Sequence, residues 1–324
     1  MKEDKILKEI SAAQLEGLRI GNAQNQEAKT GVTVLLFENG ATLGVDISGG
    51  GPASRETPLA LPLTADNPVH AIVLSGGSAF GLAASDGVMR YLEERGIGYQ
   101  TGYAKVPLVC QSCIYDLGLG RADIRPDKEM GYEACVNAEK NQPLCGSVGA
   151  GTGATVGKLY GMARAMKSGL GIYGAEVGRL KMAAVEVVNA VGDIFNPETG
   201  QKVAGLRAED GTGFANSCSE LYKISRQKDL FDQEKKPNLD MNTNTTIGAV
   251  ITNGRFSKAE MNKIASMARN AYGRCINPVG TMADGDTIYA ASIGQEKADL
   301  NMAGTLAAQV MAKAILKAAE QRDS

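Results

Sequence analysis

The stretch GVTVLLFENGATLGVDIS, Gly31 to Ser48, constrains the fold more than any other part of the chain. Two apolar, β-branched runs meet at Asn39-Gly40. Asn-Gly between such runs is the strongest short signal for a β-hairpin, because both residues accept the positive φ of a tight turn. Further strands are expected in HAIVLSGG from His70, KMAAVEVVNAVGDIFNP from Lys181, residues 245–252 and GDTIYAASIG from Gly285. SAFGLAASDGVMRYLEERG reads as a helix with Ser78 as N-cap and Gly96 past its end. Ser257-Lys-Ala-Glu260 is a capping box opening a second helix. KADLNMAGTLAAQVMAKAILKAAEQ, from Lys297, reads as a long amphipathic helix. Forty glycines and no tryptophan predict backbone layers packed close together. Strands and helices in this order predict an α+β fold, with helices layered outside stacked sheets. Around 222–243 the charged run YKISRQKDLFDQEKKPNLDMN reads as an exposed, mobile loop.

Several functional classes are excluded early. The 324 residues allow one large domain or two ordinary ones. Net charge is −2 with no basic block, so a nucleic-acid partner is not expected. No apolar run approaches the length of a membrane span. The first residues, MKEDKILKEI, are too charged for the apolar core of a signal peptide. A soluble, cytoplasmic protein is the expectation. Cys110 and Cys113 form a C-x-x-C, but no second pair or histidines at matching spacing complete a metal site. Their apolar context, VPLVCQSCIYDLG, reads as buried thiols. His70 is the only histidine. Any Ser-His-Asp or Cys-His arrangement must use it, yet it opens a strand and reads as a half-exposed structural residue. A hydrolase with this sequence takes its general base from elsewhere.

CGSVGAGTGATVGKLYG invites a phosphate-loop reading, but Thr152 stands where the first glycine is needed and Leu159 follows Lys158. Gly149-x-Gly151-x-x-Ala154 fits the loose dinucleotide fingerprint without its βαβ unit or its ribose-binding acid. A close-packed glycine segment with Lys158 projecting from it is the better reading. In SGGSAFGLAASDG, Phe80 occupies the position where a nucleophile elbow needs glycine; backbone N–H groups at that helix start can still hold a carboxylate or an oxyanion. Arg55 and Glu56 read as an ion pair on a solvated loop. Asp284 and Asp286 lie two apart before a strand and share a face. They are either a turn or a carboxylate pair.

The polar run in LDMNTNTTIGAVITNG, from Leu239, also has two readings. One is a strand-entry turn. In the other, the chain is cut before Thr245. A threonine hydroxyl needs an activator, and a new N-terminal amine, with an ordinary pKa of about 7.7–8.0, can serve as its base. Thr245 Oγ would attack the Asn244 carbonyl, the acyl group would shift from N to O, and water would hydrolyse the ester. Pattern alone leaves both readings open.

A set of segments carries a resemblance. GGGPASRETPLALP, LSGGSAFGLAASDGVMRYLEERG, VPLVCQSCIYDLG, GSVGAGTGATVGK, VNAVGDIFNP, NTTIGAVITN and DGDTIYA resemble, in order over roughly residues 17 to 317, the P1 family of peptidases. That family comprises L-aminopeptidase/D-esterase, β-peptidyl aminopeptidases and nylon-oligomer hydrolases. The resemblance implies one domain over 1–324, a self-cleaving N-terminal-nucleophile-like hydrolase with a four-layer αββα sandwich. It implies cleavage between Asn244 and Thr245 into an α chain 1–244 and a β chain 245–324, and a homotetramer of αβ units. The substrate expected is a small peptide or amide with a free N-terminal amine, with no cofactor or metal.

Residue roles carry over position by position. Thr245 matches the nucleophile. Asn189 in VVNAVG matches an oxyanion-hole asparagine; one such donor is worth about a hundred- to a thousandfold in rate. Asp284 and Asp286 match positions that contact the nucleophile and its amine. The β-peptidyl branch has serine in place of Asp284, so this pair points to the threonine-type branch. Tyr115 and Lys158 match a tyrosine and a lysine that polarise the cleaved carbonyl or orient Asn189. Cys110, Gln111 and Cys113 depart from the family's small apolar residues, which leaves the pocket lining open. Two alternatives stand beside this reading: an N-acyltransferase of the ornithine acetyltransferase type, and a non-enzymatic nucleotide-binding protein.

Overall fold

The computed structural model describes residues 6–227 and 244–320. Ten strands form its main sheet system: β1 (Leu7–Ile10), β2 (Leu18–Asn25), β3 (Thr30–Ile47), β4 (Ala53–Arg55), β5 (Val69–Ser75), β6 (Val109–Cys113), β7 (Leu170–Val177), β8 (Leu180–Val187), β9 (Ile247–Gly254) and β10 (Thr287–Glu296). Among the described residues six α-helices accompany them: α1 (Ala84–Glu94), α2 (Lys128–Ala138), α3 (Ser217–Gln227), α4 (Lys258–Ala268), α5 (Asn270–Cys275) and α6 (Leu300–Glu320). The strand order is β1-β7-β8-β9-β10-β3-β5-β6-β4, with β2 also paired to β3.

The expected hairpin at Asn39-Gly40 is instead one long strand. The first half of β3 pairs with β2 and β5, and the second half pairs with β10. Its register shifts between Leu36 and Ala41, and Gly40 takes φ +75°. The positive φ that suggested a reversal serves a bulge that bends the strand from one sheet into the next. Each apolar run finds a larger partner surface in other strands than the two would find in each other.

Three apolar cores separate four layers. The first lies between the two halves of the sheet system and takes Leu35, Phe37, Leu43, Ile72, Leu74, Val185, Ile247, Ile251 and Tyr289. A second lies between β7–β10 and helices α4, α5 and α6. A third lies between β2, β3, β5 and helices α1 and α2. Strand residues alternate between cores: Ile72 and Leu74 face the inter-sheet core, while Ala71 and Val73 face α1 and α2. Because both faces are covered, the strands read as nearly continuous apolar runs. The result is an α–β–β–α sandwich.

The glycines do what their number predicted. A Cβ on Gly171 of β7 would stand 1.9 Å from the Ala314 carbonyl oxygen of α6, and one on Gly21 of β2 would stand 2.1 Å from that of Ala134 in α2. Helices therefore sit on the sheets at backbone contact. The capping box at Ser257 is present, with Ser257 N–H donating to Glu260 Oε2 at 2.8 Å. Two expectations need correction. The charged run begins within helix α3, and its remainder, 228–243, lies outside the described residues. Ser78 caps no helix: it has φ +53° and opens a 3-10 turn, Ser78–Ala83, ahead of α1. Among the described residues no helix is long and apolar enough to cross a membrane.

Candidate active site

Topology gathers the chemistry at one end of three adjacent strands. β9 and β10 are parallel neighbours, so their first residues lie side by side. β8 runs antiparallel to β9, so its exit reaches the same end. Asn189 follows β8, Thr245 precedes β9, and Asp284 and Asp286 precede β10. Lys158 comes up from a short strand, Thr155–Val156, and Tyr115 follows β6. All of these except half-buried Tyr115 are buried: Thr245 keeps 6 % of its exposure and Lys158 4 %.

Asn189 is the hub. Its Oδ1 accepts from Lys158 Nζ at 2.8 Å and from the Thr155 N–H at 3.1 Å. Its Nδ2 donates to the Tyr115 backbone carbonyl at 3.1 Å. Its own carbonyl accepts from the Thr245 N–H at 2.9 Å and from Lys158 Nζ at 3.1 Å. Among the described residues, Tyr115 meets Asn189 through its main chain, not its phenol. At the Asn244–Thr245 bond, Thr245 Oγ1 donates to the Asn244 carbonyl oxygen at 2.5 Å, and the Gly285 N–H donates to the same oxygen at 3.0 Å.

The two aspartates are held differently. Asp286 accepts the Thr246 N–H at 2.6 Å and the Gly280 N–H at 3.1 Å. Asp284 accepts the Thr281 N–H at 2.8 Å and the Thr281 hydroxyl at 2.6 Å. Burial pushes the Asp286 carboxyl up to about 7, and the neighbouring Asp284 adds to the rise; the two N–H donors and the Lys158 charge pull against it. Burial also raises Asp284, opposed by Thr281 and Lys158. Lacking water, a charged carboxylate beside another is disfavoured. Burial and like charge thus shift the pair toward its protonated forms.

A cavity of about 210 Å³ opens on the bond, lined by Gly51, Ala53, Ser78, Cys113, Tyr115 and Met282 together with Asn244 and Thr245. Of the three departures noted in the sequence, only Cys113 reaches this lining. Cys110 faces the inter-sheet core. Gln111 Nε2 donates to the Gly81 carbonyl at 2.7 Å and to Ser75 Oγ at 2.9 Å, which fixes the loop carrying Ser78. Both cysteines of the C-x-x-C are buried and unpaired.

Other candidates fall away. His70 is buried rather than half-exposed, and its Nδ1 accepts the Leu108 N–H at 3.2 Å. The Gly149–Gly153 segment is a buried 3-10 turn whose Gly149 and Ala150 N–H groups go to Gln24 and Thr33, so they are spent inside the fold rather than offered to a phosphate. The N–H groups before α1 do hold a carboxylate, but an internal one: Gly77 N–H donates to Asp116 at 2.7 Å. Arg55 pairs with Asp86 of α1 at 2.6 Å. Among the described residues no cluster of three metal-ligating side chains is present. Sequence reasoning missed Gly285, Thr155 and Thr281. Gly285 has no local mark because its role arises from the parallel pairing of β9 with β10, Thr155 meets Asn189 only through the fold, and Thr281 is a local partner three residues before Asp284.

Comparison with known proteins gives the family and the fold. Residues 12–322 match the model of peptidase family S58. An uncharacterized aminopeptidase of Mycobacterium tuberculosis is 36 % identical over 298 residues, 88 % of this chain and 81 % of that one. A 6-aminohexanoate-oligomer endohydrolase of Kocuria sp. is 32 % identical, over 94 % of this chain and 84 % of that one. Among solved structures, the L-aminopeptidase D-Ala-esterase/amidase of Ochrobactrum anthropi superposes with a TM-score of 0.68 at 16 % identity, covering 95 % of this chain and 85 % of that one. It is described as a variant of the Ntn-hydrolase fold. A Burkholderia sp. β-aminopeptidase gives a TM-score of 0.64 at 16 % identity, covering 96 % and 85 %. The fold is thus of the N-terminal-nucleophile type.

Proposed function

The chain belongs to peptidase family S58 and is a hydrolase of peptide or amide bonds; from that premise we propose that it cuts itself between Asn244 and Thr245 and works as an aminopeptidase or amidase with Thr245 as N-terminal nucleophile. One observation carries the reading: the Thr245 hydroxyl and the Asn244 carbonyl meet at the mouth of a cavity, beside a locked Asn189 and a buried acid pair. In processing, Thr245 Oγ bonds to the Asn244 carbonyl carbon, the C–N bond breaks, and the Oγ proton ends on the Thr245 nitrogen. Water then hydrolyses the ester. The products are chains 1–244 and 245–324.

The freed amine is then the base for the hydroxyl beside it, which suits a chain whose only histidine is buried elsewhere. The Thr245 hydroxyl then attacks peptides or amides bearing a free N-terminal amine, expelling the amine portion and leaving an ester acyl-enzyme that water hydrolyses. Lys158 and Thr155 hold the Asn189 amide so that one of its Nδ2 hydrogens meets Tyr115 and the other is left for a substrate oxyanion. Asp284 and Asp286 fix the strand entry around Thr245 and balance its amine. Intact-mass measurement of purified protein tests the proposal. Two fragments meeting at residue 244 are expected, and Thr245→Ala should remain whole and inactive. Wild type that stays at full length defeats the processing claim.

A further inference from the structure

We infer that the Gly285 main-chain N–H is the oxyanion donor for cleavage of the Asn244–Thr245 bond. The inference rests on the processing proposed above and adds a residue to it. The carbonyl that must be attacked is already engaged: Gly285 N donates to Asn244 O at 3.0 Å, as a rung of the parallel ladder that continues with Thr287 N to Thr246 O at 3.2 Å. Asn189 makes no such bond in this arrangement. It turns its amide to Tyr115 and its carbonyl to the Thr245 nitrogen.

The donor is rigidly placed. Asp284, before Gly285, is tied to Thr281, and Asp286, after it, is tied to Thr246 and Gly280. The residue must also be glycine, since a Cβ there would lie 2.9 Å from Thr245 Oγ1 and 2.8 Å from the Gly51 carbonyl oxygen. A side chain would press on the nucleophile. As Oγ attacks, the carbonyl π electrons move onto the Asn244 oxygen, and a preorganised N–H at this distance stabilises that charge without moving. The ester formed by the N-to-O shift is an acyl-enzyme in all but name. The same N–H therefore meets the carbonyl oxygen of a substrate's acyl group once Asn244 has gone.

The test replaces the amide with an ester at single backbone positions. Full-length precursor is made by cell-free translation, with glycolic acid in place of Gly285 through a suppressor tRNA, and fragments are followed by intact mass. A matched control puts the α-hydroxy analogue of threonine at position 287, removing the next rung but no contact with the cleaved carbonyl. The Gly285 ester should cleave about 10²–10³-fold more slowly, while the Thr287 ester keeps the wild-type rate and both keep the wild-type circular dichroism. Equal slowing in the two esters, or a wild-type rate in the Gly285 ester, overturns the inference. A wild-type precursor that never cleaves overturns the processing reading itself.

Discussion

Replacing Lys158 with methionine separates what the buried lysine does for the fold from what it does for the reaction. Methionine matches its length and loses its charge. Lys158 Nζ makes two bonds to Asn189, at 2.8 and 3.1 Å. Bonds from a charged donor contribute about 1.5–3 kcal/mol each, while holding an ammonium out of water costs several kcal/mol. Attraction and desolvation oppose each other for a buried charge, so the change in Tm should be small beside the change in rate. The reaction has no such compensation. Asn189 Oδ1 is left with the Thr155 N–H, and the Asn189 carbonyl that positions the Thr245 nitrogen loses its second donor, so cleavage should slow by about a hundredfold through misplacement of the scissile bond. Loss of the positive charge also lets Asp284 and Asp286 rise further. The assay pairs intact-mass kinetics of fresh precursor with a melting curve. Cleavage at the wild-type rate, or a collapse of Tm alongside lost cleavage, would refute the reasoning.

Three further outcomes are expected. The Asp286 carboxyl sits near 7 in the fold against an ordinary 3.8, so the native state binds more protons than the unfolded one between those values; its contribution to stability is greatest at low pH and is lost as pH rises through 7. Denaturant midpoints of Asp286→Asn across pH 4–8 should lack that decline, and a parallel decline in the variant would count against it. Gly171→Leu should cost at least about 1–3 kcal/mol by overpacking against α6, read as a lower Tm; an unchanged Tm would show that the layers can part freely. Tyr115→Phe should leave self-cleavage untouched, because the bonds to Asn189 use the Tyr115 carbonyl; a large fall would bring the phenol back into the reaction.

Much of the layering was legible because burial leaves local traces. Runs such as HAIVLSGG have both faces covered and so are apolar throughout, and helices α4 and α6 announce themselves by capping and periodicity. The bend in β3 was not legible: Asn-Gly reports a positive φ, and only the partners of each half decide between reversal and bulge. Thr245, Asn189, Lys158 and the aspartates were named through ordered segments, and the structure brings them together. Gly285 could not be, since an Asp-Gly-Asp stretch reads as a turn until another strand is laid parallel beside it. Ser78 was misread for a related reason: the turn it opens is held on either side by distant residues, with Asp116 accepting from Gly77 N–H and Gln111 donating to the Gly81 carbonyl.

The placement of β9 and β10 has a consequence for the protein's history. They belong to the piece after residue 244, yet they lie between β8 and β3 of the piece before it. If the bond is cut as proposed, the fragments would remain interleaved, and native chromatography would not part them. Unfolding is another matter. A whole chain can find its strand order again from a single molecule, whereas two fragments must first meet, and each lacks the central strands the other supplies. Cleavage would thus make folding a one-way event: the mature protein would hold a shape it learned as a longer chain and cannot readily relearn.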